Sequence, residues 1–282
     1  MAVPPTGTVT FLFTDIEGST ALWEDNPGAM QHALVRHDGI LRRTVEDHAG
    51  FVFKTMGDAF CCAFPTAPDA FEAAVGAQRA LSTGDWGETG PLRVRMALHT
   101  GASEEQGGDY FGPPLNRVAR MLSAAHGGQV LLSLPTQELV RDLLPVDAEL
   151  RDLGEHRLKD LARPERVYQL VAPGLPGDFP PLRTLESRPN NLPMQPTLLV
   201  GREREVGDVR GRLLAPEVRL LTLTGPGGTG KSRLALQAAA DLIEEFADGV
   251  FFVALATLTD PTLVASSVAQ VLGVRESADQ PL

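Results

Sequence analysis

The sequence predicts an α+β domain, helices laid against a largely antiparallel sheet, followed by a second domain of α/β type. Three observations carry this. The 282 residues exceed the ~100–200 residues of one ordinary domain, so two hydrophobic cores are expected. Over residues 8–171 strand-like and helix-like segments mix without strict alternation, which disfavours a doubly wound sheet. Residues 172–196 are rich in proline and poor in periodic apolar positions, the signature of a semi-rigid spacer. The expected division is therefore a first domain over 1–172, a proline-rich linker over 173–197 and a second domain over 198–282.

The elements follow in order. TVTFLF, residues 8–13, is β-branched and aromatic and runs into TDIEGST, a strand end followed by a helix start. A helix covers residues 27–48. FVFKTMGDAFCCAF, residues 51–64, reads as a hairpin that turns around Met56 and Gly57, just before Asp58. An Ala-rich helix over 68–81, the strand LRVRMALHTG and a helix beginning near Pro113 come next. Strand QVLLS, helix PTQELVRDLL and a closing segment ending in RVYQLV complete the first domain. Beyond the spacer, GREREVGDVRGRLL is a helix, EVRLLTLTG and GVFFVAL are strands, and GPGGTGKSRLALQAAADLIEEF is a Gly-rich loop entering a helix, with one more helix after them.

Hydrophobic residues at 43% and charged residues at 22% are those of a folded globular protein. A formal charge of -11 argues against whole-chain attraction to nucleic acid or anionic membranes, so any phosphate binding must be local. Cys61 and Cys62 are the two cysteines; neighbours on a strand point to opposite faces and cannot staple distant segments, which fits a reducing cytoplasm. Neither a signal peptide nor a membrane span is read, because the most apolar window is broken by Thr257, Thr259, Asp260 and Pro261.

Asp15 closes the first strand and Asp58 follows the hairpin turn. If the strands are neighbours, two hard carboxylates converge and can hold Mg²⁺ or Mn²⁺ while leaving positions for substrate phosphates. Taken singly, an aspartate at a strand end is more often a turn or cap residue. Gly18, Ser19 and Thr20 open a helix whose free N–H groups suit an anion. Asn116 and Arg120 lie one helical turn apart and share a face, where a guanidinium fork and an amide can act on one ligand; the bland alternative is a solvated helix face. Lys54 can donate to a purine ring nitrogen and Asp109 accept from an exocyclic amine, a set that matches adenine rather than guanine.

VTFLFTDIEGST, FKTMGDAF and GDYFGPPLNRVAR resemble, in order, the three signature segments of class III adenylyl and guanylyl cyclases. The resemblance implies a ferredoxin-like cyclase fold. It makes Asp15 and Asp58 the metal-binding aspartates, two ions per site, and Lys54 and Asp109 the adenine-selecting pair. Asn116 orients the ribose, Arg120 stabilises the transition state, and Lys159 in HRLKDL corresponds to the triphosphate-binding lysine. It implies a head-to-tail homodimer, because the family's site takes its metal carboxylates from one domain and its base, ribose and arginine contacts from the other. SEEQGGD departs from the pattern by lacking an arginine that some members use as a phosphate contact, and Ser19 stands where an aromatic residue is common. His99 reads as a core or turn residue, and Tyr110 and Phe111 as packing residues.

GPGGTGKS, residues 225–232, satisfies the P-loop pattern between an apparent strand and helix. Gly225 and Gly230 shape the cradle, Lys231 reaches the β- and γ-phosphates of ATP, and Ser232 meets Mg²⁺. With LLVGRERE and GVFFVAL the region resembles the start of signal-transduction ATPases of the AAA-related STAND type, as in large bacterial regulators. No later strand ends in the acidic residue needed for hydrolysis, so this domain is expected to be incomplete. The whole reads as a cytoplasmic adenylate cyclase making cyclic AMP from ATP, with a nucleotide-sensing module. The alternatives are a non-catalytic dimerising regulator and a guanylate cyclase.

Overall fold

The computed structural model describes residues 4–161, 163–184, 188–193, 199 and 201–274. It divides into two compact units, residues 1–184 and 185–282.

The first unit is built on one sheet of eight strands: β1 (Gly7–Ile16), β2 (Phe51–Met56), β3 (Ala59–Phe64), β4 (Val94–Gln106), β5 (Asp109–Phe111), β6 (Val130–Ser133), β7 (Glu149–His156) and β8 (Glu165–Val171). The spatial order is β2-β3-β1-β4-β6-β8-β7, with β5 attached to β4. The β4–β6 pair is parallel and the other pairs are antiparallel. The predicted mainly antiparallel sheet is thus present.

Two cores flank it, as strand alternation requires. Leu12, Phe60, Cys62 and Phe64 face one core, and Phe11, Phe13, Cys61 and Ala63 the other. The adjacent cysteines therefore sit in different cores, both free and buried. The first core is covered by α2 (Pro27–Asp47), which buries Met30, Ala33, His37, Leu41 and Val45 at helical spacing, and by α3 (Ala67–Ser82). Asn26 caps α2 by accepting from Ala29 N at 3.0 Å, and Thr66 caps α3 by accepting from Asp69 N at 3.2 Å. The alanines at 70, 73, 74 and 77 are buried, so α3 lies close against the sheet. The second core is covered by α4 (Pro113–Ala124), which buries Val118, Met121 and Leu122. Two short helices complete the unit: α1 (Ser19–Asp25), opened by Gly18 at φ 72°, and α5 (Leu134–Val140).

His99 is a core residue, as expected. Its Nδ1 lies 2.8 Å from Ser133 Oγ, and a chain of buried hydroxyls continues through Thr136 and Thr100 to Thr10. Tyr110 is buried too, but Phe111 is 54% exposed. The packing role expected for Phe111 fails because consecutive residues of β5 point to opposite faces.

The proline-rich segment differs from the spacer the sequence suggests. Residues 173–184 pack on the first unit, with Leu182 only 4% exposed in the α4-side core and Arg183 N donating to Ala124 O at 3.0 Å. Fixed proline torsions cost little entropy to order, so such a segment docks once a few apolar and backbone anchors exist. Part of the remaining predicted spacer lies outside the described residues.

In the second unit α6 (Glu203–Leu214), α7 (Lys231–Asp241) and α8 (Leu263–Leu272) match the predicted helices. The two predicted strands do not form ladders among the described residues. Among the described residues 218–224 and 251–254 form no strand; Phe252 N donates to Asn191 Oδ1 at 2.6 Å and Phe252 O accepts from Asn191 Nδ2 at 2.9 Å, and Val250 makes one isolated bridge with Asn190. Leu220 is 83% exposed. A parallel strand is stable when neighbours bond both its edges and helices cover both faces, which apolar periodicity alone does not supply. Among the described residues no helix is long and apolar enough to cross a membrane.

Candidate active site

The register of the sheet brings the two predicted metal aspartates together. Thr14 pairs with Phe60 across β1 and β3, so the next residues along β1 meet the β2–β3 turn, where Gly57 adopts φ 63°. Asp58 Oδ2 there accepts from Ile16 N at 3.0 Å. Asp15, half-buried beside it, pairs in register with Arg95 of β4. The Arg95 guanidinium donates to Asp15 Oδ2 from Nε at 2.9 Å and from Nη2 at 2.5 Å. Sequence reasoning missed Arg95. The available signal was a charged residue between Val94 and Met96, in a run that continues with Ala97 and Leu98.

Among the described residues no cluster of three or more His, Cys, Asp or Glu side chains could hold a metal by itself. Two adjacent carboxylates are nevertheless a fitting donor set for Mg²⁺ or Mn²⁺. Such hard ions are bound by one or two protein carboxylates and complete their coordination with water and substrate phosphates. Both carboxylates are partly exposed at the strand ends, where phosphates can reach them.

A second group forms around β2, β5 and α4. The β2–β3 register shifts between Val52 and Lys54, and β5 folds back on the end of β4. Lys54 Nζ thereby lies 3.5 Å from Asp109 Oδ2, with the side chains 49% and 35% exposed. Tyr110 anchors this corner. Its ring stands 5.3 Å from Phe11 and 4.9 Å from Phe53, and its hydroxyl donates to Pro5 O at 2.7 Å. Burial, with a smaller contribution from Glu105, pushes the Tyr110 phenol up to about 12.

Gly112 at φ 121° starts α4, on which Asn116 is exposed and Arg120 half-buried. Arg120 Nη2 is 2.6 Å from Asp160 Oδ2. Asp160 follows Lys159 in the turn after β7 and adopts φ 60°, so Arg120 is held by the turn that carries the predicted phosphate lysine. Sequence reasoning missed Asp160 as well. Asp15 and Asp58 thus engage Arg95 and the Ile16 amide, whereas Lys54, Asp109 and Arg120 engage a different set.

In the second unit, Gly225, Gly228 and Gly230 take φ values of 148°, 78° and 82°. The loop curls around Lys231, whose Nζ donates to Gly225 O at 2.8 Å and Pro226 O at 2.6 Å. Lys231 opens α7 and Ser232 stands exposed in its first turn.

Known proteins agree with the first unit. Residues 1–172 match the model of the adenylate and guanylate cyclase catalytic domain, a match that stops before the Gly225–Ser232 loop. An uncharacterised protein of Mycobacterium tuberculosis is 44% identical over 72% of this chain and 70% of its own length. An adenylate cyclase of Neurospora crassa is 32% identical over 62% of this chain and 10% of its own. A solved adenylate cyclase from Trypanosoma brucei, in its monomeric state, superposes with a TM-score of 0.55 at 29% identity, covering 64% of this chain and 94% of that one. The adenylyl cyclase CyaB from P. aeruginosa gives 0.52 at 25% identity, over 58% and 94%. The sheet, its signature segments and these matches together show that this chain belongs to the adenylate and guanylate cyclase catalytic domain family.

Proposed function

We propose that the chain is an adenylate cyclase that converts ATP into 3′,5′-cyclic AMP and pyrophosphate at a homodimer interface. The observation that carries the choice of ATP is the Lys54–Asp109 pair, a donor and an acceptor 3.5 Å apart on an accessible edge. Adenine presents a ring-nitrogen acceptor and an amino donor to such a pair, whereas guanine presents a carbonyl where adenine has the amine.

In this reading Asp15 and Asp58 hold two Mg²⁺ or Mn²⁺ ions, which when bound lower the pKa of the ribose 3′-hydroxyl and neutralise the triphosphate. Arg95 fixes the orientation of the Asp15 carboxylate. Asn116 holds the ribose, and Lys159 binds the triphosphate. Arg120 exchanges Asp160 for the charge that develops at the α-phosphorus. The 3′-oxygen bonds to that phosphorus as its bond to the bridging oxygen breaks, pyrophosphate leaves, and the hydroxyl proton is released to solvent. A two-fold dimer would let the aspartates of one subunit serve a nucleotide held by Lys54, Asp109, Asn116 and Arg120 of the other. The buried free cysteines suit a cytoplasmic enzyme. The Gly225–Ser232 loop is read as a phosphate cradle for ATP, supported by the positive-φ glycines and the loop wrapped around Lys231.

The test is cyclic nucleotide production by the full chain from ATP or GTP, in Mn²⁺ and in Mg²⁺, over a range of protein concentrations. Cyclic AMP with specific activity rising with concentration is expected. Preferential use of GTP would make it a guanylate cyclase, and no product under any condition would make it a non-catalytic regulator.

A further inference from the structure

The stretch that follows the family-matched region is built into the catalytic unit. Gly177 O accepts from Gln169 Nε2 at 2.7 Å and from Arg151 Nη1 at 3.0 Å. Phe179 stacks on His126 with ring centroids 6.4 Å apart, and His126 Nε2 lies 3.0 Å from Pro181 O. Leu182 then enters the α4-side core. Residues 173–184 thus form a strap tied down at several independent points, and the last of them is an ion pair. Arg183 Nη2 lies 2.6 Å from Glu17 Oε1.

Glu17 is the residue after Ile16, so it continues the strand end on which both metal-type carboxylates depend. Asp15 belongs to that run, and Asp58 is oriented by the Ile16 amide. Glu17 N donates to Arg93 O at 2.9 Å. A Cβ on Gly127 would stand 2.7 Å from Glu17 Oε2 and 2.5 Å from Arg93 Cβ, so glycine there is what admits the Glu17 side chain. Between its anchors the strap spans a cavity of about 480 Å³ lined by Glu17, Gln78, Arg93, His126, Phe179 and Arg183. Among the described residues, the polar contact that joins the Glu17 side chain to the strap is this ion pair.

We propose that Arg183 is a positioning residue for the metal-bearing strand end, acting through Glu17, so that the functional catalytic unit extends beyond residue 172 to the end of the strap. The proposal rests on the two-aspartate metal reading given above. The pair is partly exposed, at 36% and 25% of the side chains, so its direct contribution to folding is small. What it restrains is the orientation of Asp15 and of the amide that holds Asp58. Groups that orient metal ligands from behind typically change metal affinity ~10–100-fold when removed, and for a partly exposed pair the lower end, about 10-fold, is expected.

The test uses the full chain with Mn²⁺ alone, without nucleotide, so that neither free triphosphate nor a nucleotide-bound loop takes up the ion, and follows Mn²⁺ binding by the loss of its free-ion resonance signal. Melting temperature is measured alongside. Arg183→Ala and Glu17→Gln should each raise the Mn²⁺ concentration for half-saturation about 10-fold, with melting temperature unchanged and, in a separate assay with ATP, with cyclic AMP formation approaching wild type once Mn²⁺ saturates. Arg183→Lys, which keeps the charge, should recover most of the affinity. Wild-type Mn²⁺ binding by both Arg183→Ala and Glu17→Gln would overturn the proposal, as would a loss of affinity that merely tracks a large fall in melting temperature. Asp58→Ala is the separate control: if it binds Mn²⁺ like the wild type, the two-aspartate reading itself fails.

Discussion

Replacing Lys54 by Glu and Asp109 by Cys together separates the base-selection reading from a merely structural one. In the fold the pair meets at 3.5 Å, the limit of a hydrogen bond, with the side chains 49% and 35% exposed. Such a pair contributes ~0.2–1 kcal/mol to stability, so the double variant should melt within ~3 °C of the wild type. The same two groups facing adenine would make two charge-assisted hydrogen bonds, each worth ~1.5–3 kcal/mol. Taking the lower value because the edge is accessible, about 3 kcal/mol of transition-state binding is lost, an about 100-fold fall in kcat/KM for ATP. The introduced carboxylate can accept from guanine N1–H and its amino group, so turnover of GTP should rise while that of ATP falls. The assay is kcat/KM for each nucleotide at saturating Mn²⁺, beside a thermal melt. A kcat/KM for ATP within about threefold of wild type, in a protein with an unchanged melt, would refute the reasoning, since about 1.4 kcal/mol is a factor of ten.

Three further outcomes are expected. Asp58→Ala should abolish turnover, because one of two protein carboxylates for the ions is lost and the Ile16 amide is left without its acceptor; full Mn²⁺-dependent activity would contradict it. Burial, and secondarily the Arg117 charge, lowers the His99 pKa to about 4 from its ordinary 6.5, so between those values the unfolded chain binds the proton and the folded one does not. Stability from this group is complete above the ordinary value and falls as pH drops towards the folded one, by about 2–3 kcal/mol near pH 4.5. Urea unfolding at neutral and acid pH should show that slope reduced in His99→Asn, and parallel curves would exclude it. Leu182→Ala, at a position 4% exposed, should destabilise the first unit by about 2–5 kcal/mol in urea unfolding; a change below ~0.5 kcal/mol would mean that the strap is not docked.

How the candidate site emerged from the sequence differs from residue to residue. Asp15 and Asp58 were legible because a strand end and a hairpin turn are local signals, and the carboxylate is the residue type that divalent ions require. Asn116 and Arg120 were raised by their one-turn spacing and Lys54 and Asp109 by their donor and acceptor chemistry, and the resemblance gave them roles and added Lys159; the fold places Lys54 against Asp109 and Arg120 against the turn holding Lys159. Arg95, Asp160 and Glu17 escaped notice. Each matters through a partner distant in sequence, Asp15, Arg120 and Arg183 respectively, and no local pattern announces such a pairing.

By itself the sequence determined most elements of the first unit, though not β5 or β7, and the separation of the two cysteines into different cores, because periodicity and capping act within a few residues. It also contained the three segments that place the chain in its family. Only the tertiary structure decided where the first compact unit ends. The proline-rich stretch has the composition of a spacer, yet it docks because Leu182, Phe179 and Arg183 find a core, a histidine ring and a glutamate supplied by residues far away in the chain. Likewise 218–224 and 250–254 have the composition of strands but form no ladder among the described residues, since a strand exists through its neighbours rather than through its own residues.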